Sequence, residues 1–340
     1  MKLNSILFIA FLLCHYSTIT ASPVDWRIQG EAGYYRASNS SVSSTNDLIT
    51  RFEGLLAYKK GYNRHSWFLE FRTASEFYGI ENITTALKFS GKGQFQQRFS
   101  KVSINFYLHG RKYFYNNDFL GLTFNVFQIS GNTFWFFHSK RFLVLSVNYF
   151  YRDLENNTDN SLDAVVLTGK LYNSFSPFGK ISAGIYTENF QVGSASFLGI
   201  PDMMIKNVGW RFGPEIGLDY NHKVVINLNY RVLWHQSDLI SNTSWEQWIR
   251  LLFGKLLSRK WSLFFLIDYY FRDFPQPERD NFNLLYSPIE NENRIYLNLE
   301  HNIRKKWSIF LKIGYIKDNL IYDNFSLSGL QSTVGLKIKD

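Results

Sequence analysis

The feature that most limits what this chain can become is a two-residue alternation of apolar and polar side chains, sustained without a break over long segments. Between Val224 and His235, the residues Val224, Ile226, Leu228, Tyr230, Val232 and Trp234 fall on one side, while Asn227, Asn229, Arg231 and His235 fall on the other. Trp261 to Arg272 repeats the scheme, with Trp261, Leu263, Phe265, Ile267, Tyr269 and Phe271 set against Ser262, Asp268 and Arg272. Val102, Ile104, Phe106 and Leu108 likewise oppose Ser103, Asn105, His109 and Arg111. Period two is the signature of a strand, because successive side chains leave a pleated backbone on opposite faces. These runs exceed the roughly 5 to 6 residues usual in globular sheets and match the about 9 to 11 tilted residues that cross a bilayer. A long sheet with one continuously apolar face finds its solvent in hydrocarbon. There it must close on itself so that no edge N–H or C=O is left unpaired.

The connections set the strand count. Short, mostly basic turns fall near Lys59 to Arg64, Arg98 to Lys101, Ser139 to Arg141, Asn173 to Pro177, Asn221 to Lys223, Ser258 to Lys260 and Arg304 to Lys306. Longer polar segments run over Ser38 to Asn46, Tyr78 to Asn82, Asn116 to Asp118, Asp153 to Ser161, Gln191 to Lys206, Gln236 to Thr243, Phe274 to Glu290 and Asp318 to Phe325. Turns and loops alternate, and together they join about 16 strands, with about 14 to 18 compatible with the pattern; both termini return to the side of the short turns. Phe119 to His138 reads as one strand interrupted near Gly131. Lys260-Trp261-Ser262-Leu263-Phe264 is echoed by Lys306-Trp307-Ser308-Ile309-Phe310, as repeating hairpins would give.

Met1 to Ala21 has the layout of a secretory signal peptide: Lys2, an apolar run from Ile6 to Cys14, then a polar stretch closing on a small residue. The run is too short to span a bilayer as a helix. Leu13 before Cys14 argues against a lipoprotein signal. Cleavage after Ala21 leaves one domain, 22–340, without cysteine, so disulfides and thiol chemistry are excluded. Aromatic residues make up 18% of the chain, which excludes disorder. The net charge of +9 is dispersed and forms no basic tract, which argues against nucleic acid as a partner.

If the apolar phase faces lipid, the alternate phase faces a lumen. That phase contains Glu53, Glu70, Arg72, Arg111, Arg211, Glu215, Asp219, Arg231, Arg250, Asp268, Arg272, Arg294, Glu300 and Lys312. Glu215 and Arg231 are expected to sit diagonally across a hairpin, as an ion pair on a wet wall or as part of an Arg ring that biases the pore toward anions. Trp67, Trp261 and Trp307 follow basic turns, and Trp210, Trp234 and Trp245 flank longer loops, as aromatics at two membrane interfaces would. Basic turn residues (Lys59, Lys60, Lys140, Arg141, Lys223, Arg259, Lys260, Arg304 to Lys306) and acidic loop residues give the two ends opposite charge, and the basic rim suits anionic head groups. His65, His109, His138, His222, His235 and His301 show no metal-ligand spacing, and no HExxH, GxSxG or Walker loop occurs, so neither enzyme, metal site nor cofactor is implied.

This pattern resembles the general class of Gram-negative outer-membrane β-barrels, over essentially the whole of 22–340. Thr333-Val334-Gly335-Leu336-Lys337-Ile338 resembles part of the terminal strand that such barrels present to their assembly machinery, but Lys339-Asp340 follow it where the class carries an aromatic. The resemblance implies an all-β fold, a single closed antiparallel transmembrane barrel in the bacterial outer membrane, with lipid and the barrel-assembly machinery as partners. It further implies a porin-like channel for small hydrophilic solutes, anionic ones included, or an exporter of a polar polymer. The alternative is a non-conducting anchor, binding or assembly barrel that acts through its outer loops or a periplasmic partner.

Overall fold

The computed structural model describes residues 24–39, 42–62, 64–78, 85–116, 122–154, 157–194, 205–237, 240–273, 294–319 and 326–339. The expected leader lies outside them. So do the loop acids Glu81, Asp118, Glu155, Asp238, Glu278, Asp280, Glu290 and Asp323. The described residues form β1 (Val24–Asn39), β2 (Val42–Tyr62), β3 (His65–Tyr78), β4 (Thr85–Arg98), β5 (Val102–Asn116), β6 (Leu122–His138), β7 (Arg141–Leu154) and β8 (Asn157–Ser176). They continue with β9 (Gly179–Ser194), β10 (Ile205–Asn221), β11 (Val224–Ser237), β12 (Ile240–Leu256), β13 (Trp261–Asp273), β14 (Arg294–Arg304), β15 (Trp307–Asn319) and β16 (Ser326–Lys339). Each strand pairs antiparallel with the next, and β1 pairs with β16, so the sheet closes into a barrel of sixteen strands.

Three segments expected to loop are largely strand. β1 and β2 stay paired to Asn39 and Val42, β7 and β8 to Leu154 and Asn157, and β11 and β12 to Ser237 and Ile240. Their Ser, Thr, Asn and Asp content reads as loop. Ladder hydrogen bonds join backbone to backbone, though, and pairing already begun below carries such residues along. Gly131 does not interrupt β6; it pairs with Phe106 on one side and Val147 on the other.

Register fixes the shape. One row of paired residues runs Arg27, Leu55, Arg72, Ser90, Arg111, Val126, Arg152, Leu162, Val192 and Asn207, from β1 to the loop end of β10. A row begun twelve residues lower on β10, at Asp219, continues through Asn227, Leu252, Leu266, Tyr296, Gly314 and Gln331 to Tyr35, eight residues above Arg27. A full circuit thus climbs about 20 residues, which for sixteen strands means a tilt of about 43° and a backbone radius of roughly 15 Å.

The two faces are told apart by contacts that skip a strand, since side chains converge only on the concave side of a closed sheet. Lys170 of β8 reaches Glu215 of β10, Arg211 of β10 reaches Glu246 of β12, and Lys312 of β15 reaches Glu31 of β1. The opposite phase holds large exposed apolar residues, among them Phe52, Leu69, Phe106, Leu145, Leu167 and Ile185. The concave face also has an apolar patch toward the loop end of β7 to β11, where Phe150, Leu162, Ala164, Val166, Tyr186, Phe190 and Leu233 pack together. Glycine makes room for rings in this patch and elsewhere on the concave face. A Cβ on Gly335 would lie 2.2 Å from Phe310 Cζ, and one on Gly209 would lie 2.5 Å from Phe190 Cζ.

Candidate functional site

The concave face of the barrel is the candidate site, and its two sides differ. On β1 to β5, charged residues are paired; Arg27 and Arg72 stay partly solvated, while Glu31 and Glu76 are buried. Glu53 Oε1 accepts from Arg27 Nη2 at 2.8 Å and has Arg72 Nε at 3.7 Å. Glu70 lies 3.6 Å from Arg72 Nη2 and 3.3 Å from Lys92 Nζ. One row higher, Arg51 bridges Glu31 at 2.6 Å and Glu76 at 2.8 Å, while Lys88 adds a contact to Glu76 at 3.0 Å and Lys312 one to Glu31 at 3.5 Å. In each of these two clusters three cations share two carboxylates, so each is left with a formal charge of about +1. Arg111 completes the wall on β5, its Nε 3.2 Å from His109 Nε2.

On β8 to β13 the charged groups toward the loop end are sealed, whereas Lys180, Asp219 and Arg250 keep exposure to solvent. Arg211, with its side chain 0% exposed, donates through Nε to Glu246 at 2.6 Å and through Nη1 to Glu188 at 2.9 Å, and its guanidinium lies over Phe190. His235 Nδ1 lies 2.5 Å from Glu246, and the Tyr186 hydroxyl donates to Glu188. Below this cluster, Glu215 is held by Lys170, by Asn229 and by Arg231 at 3.1 Å. The Arg231 guanidinium is sandwiched between Tyr186 at 4.5 Å and Trp248 at 4.3 Å. Trp248 Nε1 in turn donates to Asp268 at 2.8 Å. Burial of this kind is tolerated because Arg211 and Glu215 are each paired and hydrogen-bonded.

The remaining sequence-derived residues can be placed as well. Asp219 pairs with Lys180 at 3.4 Å and accepts from Asn227; Glu300 is held by Lys337 and by the Ser308 hydroxyl at 2.9 Å. Arg294 and Lys312 lie over the Tyr296 ring, and Arg250 stands opposite Asn229 and Asp268. The Arg272 side chain is outside the described residues; its backbone pairs with Glu246. Glu215 and Arg231 are direct cross-strand partners, not the expected diagonal pair, because the β10–β11 register sets them opposite each other.

Sequence reading missed Glu31, Arg51, Glu76, Lys88, Lys92, Lys170, Glu188, Glu246 and Trp248. Arg51, Glu76, Glu246 and Trp248 share the alternation phase of residues identified on their own strands, as in Glu246-x-Trp248-x-Arg250, whereas Glu31, Lys88, Lys92, Lys170 and Glu188 lie on β1, β4, β8 and β9, where the sequence reading singles out no lumen residue. Trp248 is the exception among the tryptophans, for Trp67, Trp210, Trp234, Trp245, Trp261 and Trp307 are all exposed on the convex face. The basic turn residues are exposed at the end of the barrel where both described termini lie.

No family model matches the sequence, and no curated protein matches it. Solved structures do. CdiB from Acinetobacter baumannii superposes with a TM-score of 0.52 at 8% identity, covering 94% of this chain; the chain spans only 60% of CdiB. OmpT, an outer membrane protein of Vibrio cholerae, gives 0.45 at 12% identity over 95% of this chain and 100% of its own. A bacterial polysaccharide outer membrane secretin gives 0.42 at 8% identity over 95% and 100%. At such identities the likeness speaks to architecture, and CdiB carries it: the chain has the closed antiparallel barrel fold of outer-membrane β-barrel proteins.

Proposed function

We propose that this protein is a porin-like channel of the bacterial outer membrane that passes small hydrophilic solutes. The observation that carries this reading is a sixteen-strand cylinder of roughly 15 Å backbone radius in which the concave wall of β1 to β5 keeps solvated charges, with Arg72 still 41% exposed and Arg27 33%. Barrels of this strand number leave an aqueous bore, whereas eight strands are filled by their own side chains. The convex phase supplies the lipid-facing belt, with Trp67, Trp261 and Trp307 near the turn end and Trp210, Trp234 and Trp245 near the loop end. Met1 to Ala21 is the export signal, the turn end with its basic rim is periplasmic, and the assembly machinery reads the terminal strand.

The sealed network on β8 to β13 favours a second reading, a non-conducting anchor, since that half of the wall is built for rigidity. Reconstitution into planar bilayers separates the two. Ohmic single-channel steps support a channel, and a refolded barrel that stays silent refutes it. Faster migration on a denaturing gel before boiling than after checks that the barrel was folded.

A further inference from the structure

Four arginines share one row of the sheet. Arg27 of β1, Arg72 of β3, Arg111 of β5 and Arg152 of β7 are joined only through Leu55, Ser90 and Val126 of the strands between them. All four are on the concave phase, and none is buried. Because the strands tilt, the row is a ramp. Arg27 is the fourth residue of its strand from the turn end, Arg72 the eighth, Arg111 the tenth and Arg152 the twelfth. Rungs two strands apart are about 10 Å from each other, and three steps raise the path by about 20 Å.

The lower rungs Arg27 and Arg72 lie beside Glu53 and Glu70, and above them the surroundings of the ramp turn basic. Lys88 and Lys92 flank Ser90 on β4, one above the row and one below it. The strand sequences of β4, β5 and β6 contain no Asp or Glu at all, and Asp153 of β7 belongs to the convex phase. In the sequence, Asp118 is the sole acid between Glu81 and Asp153. Two arginines of the opposite wall are a different case: Arg211 is fully buried between two carboxylates, and Arg231 is closed in by Glu215 and two rings, whereas Arg250 is exposed there with Asn229 and Asp268 beside it.

We infer that Arg27, Arg72, Arg111 and Arg152 form a stepped anion path, and that the solutes passed are small organic anions with more than one carboxylate or phosphate. Such a solute can engage the next rung before leaving the last. Each guanidinium offers paired donors to a carboxylate or phosphate, and the two lower rungs stay partly exposed beside shared carboxylates. The inference rests on the channel reading.

The test uses the refolded full barrel in planar bilayers under a KCl gradient, with citrate as the added probe. The wild type is expected to prefer chloride over potassium and to show chloride current blocked by millimolar citrate. In R72Q/R111Q/R152Q the preference for chloride should fall by roughly threefold or more and citrate block should weaken, with single-channel steps still observed. Lys112→Gln, on the convex face over Phe114, should change neither. A wild-type channel that conducts without anion preference, or is indifferent to citrate, overturns the ramp and leaves the channel reading standing. So does a folded triple variant of unchanged selectivity. A silent wild type overturns both. Should the triple variant fail to fold, the response of the wild type to citrate still supports or overturns the ramp.

Discussion

Replacing Arg211 with Met tests how the sealed half of the wall is held. The guanidinium lies between Glu188, 3% exposed, and Glu246, 0% exposed, at 2.9 and 2.6 Å. Methionine fills much of the same volume but leaves two buried carboxylates facing each other with only His235, Tyr186 and their remaining partners. Removing one member of a buried ion pair costs about 3 to 5 kcal/mol, chiefly through the charge left behind. The cost therefore belongs to the carboxylates, and neutralising them should recover it. R211M/E188Q/E246Q is expected to regain most of the lost stability, whereas E188Q/E246Q alone strands the arginine and destabilises by a similar amount. Urea unfolding of the barrel in lipid vesicles, followed by fluorescence of the neighbouring Trp210, Trp234 and Trp245, reads all three variants. An R211M barrel within about 1 kcal/mol of wild type would refute the reasoning, because a loss that small is what a solvated pair gives. So would a triple variant no more stable than R211M.

Leu167, on the convex phase in the middle of β8, should lose about 2 to 4 kcal/mol on replacement by Arg, while the same change at the adjacent concave Thr168 costs little; urea midpoints in vesicles that reverse this order would overturn the assignment of faces. Gly335→Ala drives a methyl into the Phe310 ring and to 2.7 Å from the Gly30 carbonyl oxygen, and should destabilise by about 1 to 3 kcal/mol, with only part of the loss recovered in G335A/F310L on the same assay because the backbone contact remains. Trp248→Phe keeps a ring against Arg231 but takes the indole donor from buried Asp268, for an expected loss of about 1 to 3 kcal/mol; a stability unchanged within error would mean that the hydrogen bond contributes nothing.

The sequence by itself determined the architecture. Alternation in segments such as Val224 to His235 gives the strands and their two faces, and turn spacing gives their number. Both are local properties, written within a dozen residues. The same alternation puts Trp67, Trp234 and Trp307 on the convex phase and Glu53, Asp268 and Lys312 on the concave one. Where strands end was less legible at Ser38 to Asn46 and Gln236 to Thr243, because backbone pairing propagates through residues whose own preference is for loops. Who meets whom was decided by the tertiary structure. The partners of Arg211 lie on β9 and β12, and Arg27, Arg72, Arg111 and Arg152 fall in one row only because every hairpin register adds to the same climb around the cylinder. Register is a property of the closed sheet as a whole: a slip of two residues at one hairpin would keep every side chain on its face and move every neighbour.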